Sequence, residues 1–432
     1  MSHVEHLPLI FDHHNHLSFS AMLSTFPYVG QYTSKEDLLA YLRSQIAPND
    51  NLSVIVGLRN DVIKLAAADL RSFPPLILIN HCLHGFTCNA KAANLLREAH
   101  LEPYPQTARQ AEKEMARLFL FFSKSLDLCL STEQLIPAFK RCIHELRQAG
   151  LYGAEDMMYT LPYACDAKLC GDFKIKTRRP WCESEQANVI GTKPPIQLSP
   201  VPNITQVHPK LQNDKLTVTA AERKRVKLFA DGALGAGTAA LSAGYIQGGH
   251  PVLIYEDSEL ADILQKCIVL ETDTAIHTIG DRAIDQVLRI LQSCYPLPTG
   301  CSFKLRLEHC QFITLAQARK CKELGVKLCM QPNFNDDSSL YANKLSPTWC
   351  RYNNPLRMLI DQVGFVPGQD LLWGSDGLPS GLAPALQSAL FPTQPEQALT
   401  IEEILAGYSA NPDFGYQEYI IDELNQSVTL KQ

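Results

Sequence analysis

Long apolar runs and excess positive charge are both missing from this 432-residue chain. No uninterrupted apolar stretch reaches the roughly 20 residues that span a bilayer, and residues 1–11 lack the basic and apolar regions of a secretory signal. Lys and Arg number 39 against 45 Asp and Glu, a formal net charge of −6. Nucleic acid and anionic membrane surfaces both recruit a basic face, so neither is an expected partner. Most of the short basic runs, such as those at 174–179 and 223–227, are read as solvated surface. A cytoplasmic protein is expected. There is also no CxxC pair at zinc-ribbon spacing. The 14 cysteines are scattered, and read as reduced, buried and inert. Internal repeats and low-complexity tracts are absent too.

What is present is alternation. Apolar runs of strand length fall at 7–11, 52–57, 76–80, 226–229, 274–277, 304–308, 326–330 and 371–373. Several are continuously apolar, the mark of strands buried on both faces in a parallel sheet. Helix-like segments lie between them, with starts expected near Ser258 and at Thr314. The order predicts an α/β protein built of βα units, as a single domain over residues 1–432. A helical segment at about 106–148 reads as an inserted hairpin. A proline-rich stretch at about 171–219 reads as a long loop, either part of a substrate lid or a surface excursion.

Chemistry concentrates at the ends of the apolar runs. Phe11-Asp12-His13-His14-Asn15-His16 ends the first run, and residues two apart on a strand share a face, so His14 and His16 can grip one cation. Thr274-Ala275-Ile276-His277 and Arg306-Leu307-Glu308-His309 end in histidine, and Leu371-Leu372-Trp373-Gly374-Ser375-Asp376 ends in an acid. Lys227 lies inside an apolar strand, a costly place unless it is paired or chemically altered. A lone strand-end histidine is usually a satisfied core residue. Several strand ends that each deliver a ligand type fit a barrel whose catalytic groups sit at its C-terminal face.

The ordered set Asp12-x-His14-x-His16, Lys227, His277, His309 and Asp376 resembles the amidohydrolase superfamily. Within it, the chain is similar to the amidohydrolase-3, or YtcJ-like, branch. The stretches that carry this likeness are VKLFADGALGAGTAAL, IHTIGDRAID, LEHCQFIT, MQPNFND, WGSDGLP and, around His84, HGFTCNAKAA. The resemblance implies a (β/α)8 TIM-like barrel that is a metal-dependent hydrolase of a C–N bond in an amide, N-acyl, N-formyl or cyclic amide compound. A heterocycle deaminase, an esterase and a catalytically silent metal-binding barrel are the alternatives.

The resemblance also assigns roles. His14 and His16 bind one divalent ion, with zinc expected, while His277 and His309 bind a second or complete the first site. Lys227, as N6-carboxylysine, offers bridging oxygens; its alternative is a salt bridge to Asp231. Asp376 is both metal ligand and proton acceptor. His84, Gln331 and Asn333 face a small-molecule substrate. Asp12, Asp231 and Asp281 support the ligands from behind, with a helix N-cap the simpler role for Asp281. The branch usually carries a β-sandwich, but few residues precede His14 and the tail beyond Asp376 lacks the usual Gly-rich strand. A barrel without its sandwich is therefore expected, with a homodimer as one way to cover apolar surface. Gly237 stands where relatives commonly carry arginine, and Gly377 where alanine is frequent.

Overall fold

Runs of β-branched and leucine residues become strands covered on both faces; all six residues of Ile10–Asn15 are buried. The computed structural model describes residues 2–46, 51–60, 62–81, 83–124, 132–157, 170–180 and 225–431. In chain order its strands are β1 (Ser2–Pro8), β2 (Ile10–Asn15), β3 (Ser53–Leu58), β4 (Leu76–Asn80), β5 (Phe86–Cys88), β6 (Leu151–Asp156), β7 (Lys174–Thr177), β8 (Arg179–Pro180), β9 (Arg225–Phe229), β10 (Asp273–Thr278), β11 (Lys304–His309), β12 (Lys327–Met330), β13 (Leu371–Trp373), β14 (Tyr416–Asp422) and β15 (Ser427–Leu430).

A six-stranded parallel sheet runs β13-β12-β11-β10-β9-β8, and a second parallel sheet runs β2-β6-β7. Only Arg178 separates β7 from β8. At the other margin the backbone N–H of Asp376, just past β13, donates to the carbonyl of His14 in β2 at 2.8 Å. Helices Asp257–Val269, Asp281–Ser293 and Leu315–Glu323 alternate with β9 to β12. The second of these buries Ile284, Val287, Leu288 and Leu291, the i, i+3, i+4, i+7 stripe of a helix packed on a sheet. Thr314 forms the expected cap, with Gln317 completing a capping box.

Several sequence expectations change here. The runs at 52–57 and 76–80 do not join the main sheets; β3 and β4 pair with each other and with β5 over their own small core of Val29, Leu38, Ile55 and Leu78. The run at 7–11 spans two strands, divided by Leu9. β6 and β7 take places in the β2 sheet that the apolar pattern did not mark, because LYGAED and KIKT carry charge within short segments. β7 and β8 also occupy the start of the expected loop at about 171–219; residues 181–219 lie outside the described residues. The segment at 106–148 does form two helices, Ala108–Lys124 and Thr132–Gln148. Helix Asp257–Val269 begins one residue before Ser258, with Glu256 as its N-cap. The chain also has an accessory sheet where none was expected: antiparallel β1-β14-β15, joining residues 2–8 to 416–422.

Close approach of β2 to β13 depends on Gly374. A Cβ there would lie 2.3 Å from the His14 Cβ and 2.6 Å from its backbone nitrogen. Gly374→Ala should therefore lower stability by roughly 1–3 kcal/mol through overpacking, read as a lower chemical-denaturation midpoint. An unchanged midpoint would mean that the two strand ends yield at no cost.

Candidate metal centre

A cavity of about 200 Å³ opens where β2, β9, β10, β11 and β13 end. His16, Lys227, His277, His309 and Asp376 line it, together with His84 and Glu112. Phe19, Leu23, Met115, Phe229 and Ile254 make much of the rest apolar. His14 lies directly behind, fully buried, with its ring centroid 4.7 Å from that of His309, which is 4.5 Å from that of His277.

His14, His16 and Asp376 form a cluster at the cavity: one ligand atom from each lies within 4.8 Å of the others, as do those of His14, Glu308 and Cys329 behind it. Asp376 Oδ1 is 2.9 Å from His16 Nε2 and 3.3 Å from His14 Nε2. The backbone helps to deliver these groups. Strand alternation alone would turn His309 to the face opposite Glu308, but His309 and Cys310 adopt φ of 70° and 50°, and Asp376 adopts φ of 57°. Left-handed backbone at non-glycine residues carries strain of about 1–3 kcal/mol each and gathers at functional sites.

The electrostatics suit a cation. Burial holds His277 well below its usual range, helped by His309 and Lys227. Burial, with His14, brings His309 down to about 3. Both rings are thus neutral, the form that binds metals. Burial alone would raise the Asp376 carboxyl, but the imidazoles of His14 and His16 outweigh it and hold the group well below the usual carboxylate range. His14 Nε2, His16 Nδ1 and Lys227 Nζ are buried with no hydrogen-bond partner among the described residues. Each such atom costs about 1–3 kcal/mol if left unsatisfied. Such a cluster fits a divalent ion held by imidazole and carboxylate groups.

The supporting residues are placed as follows. Asp12 accepts from the backbone N–H groups of His14 and Ser375 and from the Ser375 hydroxyl, clasping β2 to the loop that carries Asp376. Asp231 accepts from the backbone N–H groups of Ala240, Ile279 and Gly280. It lies 3.5 Å from His277 Nε2, which donates to the Gly232 carbonyl at 3.0 Å. Asp231 does not pair with Lys227, whose Nζ finds no such partner. Asp281 is not the helix N-cap; that position is Gly280, and Asp281 accepts from the Ser242 N–H. Gln331 does not line the cavity but holds His309 Nδ1 at 2.8 Å from behind. Asn333 donates to the carbonyls of Ser375 and Leu378, bracing the Asp376 loop. Gly237 has φ of 70°, and a Cβ there would lie 2.8 Å from the Gly248 carbonyl oxygen, so this loop is built around glycine.

Five charged residues escaped the sequence reading. Glu112, from helix Ala108–Lys124, accepts from His84 Nδ1 at 2.7 Å and from the Thr238 hydroxyl at 2.6 Å. Burial disfavours charge on His84, but Glu112 outweighs it and raises the imidazole pKa. Under the site, Glu308 Oε2 meets His14 Nδ1 at 2.7 Å, and its Oε1 accepts from Arg306 Nε at 2.6 Å. Arg306 reaches Glu155, which also accepts from Arg178. A signal for Arg306 and Glu308 was available: two charges two apart in a strand otherwise apolar, the same anomaly that singled out Lys227.

The profile of the amidohydrolase family matches residues 7–414, and the chain belongs to that family. Over 271 residues it is 26% identical to the Bacillus subtilis (strain 168) protein described as "Putative amidohydrolase YtcJ", a match covering 61% of this chain and 49% of that one. It is also 28% identical over 123 residues to Protein LONG AFTER FAR-RED 3 of Arabidopsis thaliana, 28% of this chain and 21% of the plant protein. The chain thus spans about half or less of the length of these curated relatives. Among solved structures, an uncharacterized metal-dependent hydrolase from Pyrococcus horikoshii OT3 matches with a TM-score of 0.64 and 22% identity, covering 94% of this chain and 80% of that one. A counterpart from Pyrococcus furiosus matches at 0.62 and 19%, covering 93% and 80%. The likeness implies an α/β fold of the TIM-barrel type. Among the described residues no helix is long and apolar enough to cross a membrane.

Burial alone would raise Glu155, but the guanidinium groups of Arg178 and Arg306 bring it down from 4.5 to about 2. A carboxyl depressed on folding stabilises the protein fully above its unfolded pKa, and that contribution fades as pH falls from 4.5 toward 2. Glu155→Gln should therefore cost roughly 3–5 kcal/mol at pH 7, the cost of breaking a buried pair, and progressively less below pH 4.5. Urea titrations across that range check it; a cost independent of pH rejects the ionised pair.

Proposed function

We propose that this chain is a metal-dependent amidohydrolase that cleaves a C–N bond in a small amide, N-acyl, N-formyl or cyclic amide compound. The supporting observation is the convergence of His14, His16 and Asp376 within 4.8 Å, beside neutral His277 and His309. The two parallel sheets are read as one (β/α)8 barrel, with β7 continuing into β8 at one seam and the Asp376–His14 backbone bond at the other. The whole chain is read as one domain around it.

His14, His16, His277, His309 and Asp376 would hold one or two divalent ions, with zinc the expected metal. Such an ion supplies Lewis acidity and brings the pKa of water toward neutrality. Asp376, kept ionised, takes the proton from the attacking water and passes it to the leaving nitrogen. His84 presents Nε2 to the substrate, because Nδ1 is committed to Glu112. The apolar wall of Phe19, Met115, Phe229 and Ile254 packs the substrate's hydrocarbon part.

Lys227 completes the donor set as a carbamate. Burial lowers its ammonium to about 8, against the opposing pull of Glu308 and Asp376. The carboxylates that pull on it are already engaged, Glu308 by His14 and Arg306 and Asp376 by His16. The fraction of neutral amine this allows can attack carbon dioxide, forming the N–C bond and releasing one proton. The product offers two oxygens where an ammonium offers no lone pair.

Zinc-loaded protein tested on neutral amides, N-acyl amino acids and cyclic amides should turn over at least one of these classes. On that substrate Asp376→Asn should keep most of its zinc and lose about 100-fold or more in kcat, the scale of a proton-transfer group. An unchanged kcat rejects the role of Asp376. Zinc uptake without hydrolysis of any amide or ester favours a silent metal-binding protein.

A further inference from the structure

His14 has two ring nitrogens, and a metal can take the inward one, Nε2, only if the proton sits on Nδ1. The residue beyond Nδ1 is Glu308, at 2.7 Å, with both side chains fully buried. An ionised carboxylate accepts hydrogen bonds and donates none, so it selects the Nδ1–H form of the ring. Glu308 is itself unable to turn. Its second oxygen accepts from Arg306 Nε at 2.6 Å. Arg306 is committed on every nitrogen: Nη1 to Glu155 at 2.9 Å, and Nη2 to the carbonyl of His13 at 3.1 Å. One arginine therefore fixes both the carboxylate behind the His14 ring and the backbone just before it.

We propose that Glu308, locked by Arg306, is the positioning residue that sets the tautomer of His14 and so keeps its Nε2 lone pair open to the metal. This rests on the metal-centre reading above. The bland alternative is that the Glu308–Arg306–Glu155–Arg178 chain only holds strands together. The two differ in what a glutamine would do. An amide has one acceptor oxygen and one donor nitrogen. Arg306 can only donate, so the oxygen must face it, leaving the NH2 group against His14 Nδ1. That contact demands a lone pair on Nδ1 and drives the proton to Nε2. Glu155→Gln removes the same charge from the same buried chain without touching His14.

The test uses the full-length protein and zinc alone as probe. In metal-free wild type, long-range ¹⁵N–¹H spectra of the histidine rings, with the His14 signal assigned by its loss in His14→Gln, should show a proton on Nδ1, whether or not Nε2, 3.3 Å from Asp376, carries one as well. A bare Nδ1 overturns the proposal without any Glu308 variant having to fold. In Glu308→Gln Nδ1 should lose its proton, leaving the ring protonated on Nε2 alone, and zinc affinity, measured by chelator competition, should fall about 10- to 100-fold, the usual cost of losing such a partner. Glu155→Gln should keep the wild-type tautomer and stay within about 3-fold in affinity, below that range. Equal losses in both variants would make the role purely structural and overturn the proposal. Wild type that binds zinc while Glu308→Gln binds it equally well sinks only this inference; wild type that takes up no zinc sinks the hydrolase reading as well.

Discussion

Buried charge must be matched, and in this protein the match between Arg306 and Glu308 underlies the rest of the site. Both side chains lie in the interior on β11, where an isolated ion would be prohibitively expensive. Their pairing lets a carboxylate sit behind His14, and their extension to Glu155 and Arg178 ties β11 to β6 and to the junction of β7 with β8. Because Glu308 is saturated, Lys227 is left with no acid to bind, although it lies in the same interior. An unusual lysine and an unusual histidine environment thus have one electrostatic origin.

The second requirement is geometric. Strands deliver side chains to alternating faces, so a row of ligands at strand ends needs departures from regular backbone. These occur at His309, Cys310 and Asp376, each with positive φ. Around them lie stays made of short polar side chains: Asp12 to Ser375, Asn333 to the Ser375 and Leu378 carbonyls, and Gln331 to His309. The strain at the site is held in place by hydrogen bonds from residues that never face the cavity.

The residues proposed as ligands stood out in the sequence because each breaks a local rule within or at the end of an apolar run. His14, His277, His309 and Asp376 are polar residues where the run stops, and Lys227 is a charge where none belongs. The alternating strand–helix order likewise gave the α/β class. Other features were not legible. β3 and β4 have the same apolar texture as the main-sheet strands, so nothing local distinguishes a separate sheet. β6 and β7 hide because their buried acids and lysines look like surface until Arg178 and Arg306 are seen beside them. Gln331 meets His309 and Asn333 meets the Asp376 loop, which the sequence did not show, since proximity to a strand end does not say which way an amide turns. Glu112 had no signal at all: it belongs to an amphipathic helix and becomes special only through its meeting with His84.

The pairing of β1 with β14 has a temporal meaning. Residues 2–8 hydrogen-bond with residues 416–422, and His14 shares its cluster with Asp376. During synthesis His14 and His16 leave the ribosome long before Asp376 exists. Neither the accessory sheet nor the cluster of His14, His16 and Asp376 can form until residues 376 and 416–422 have been made. A nascent chain stalled before residue 376 therefore holds two imidazoles without the carboxylate that meets them in the folded protein.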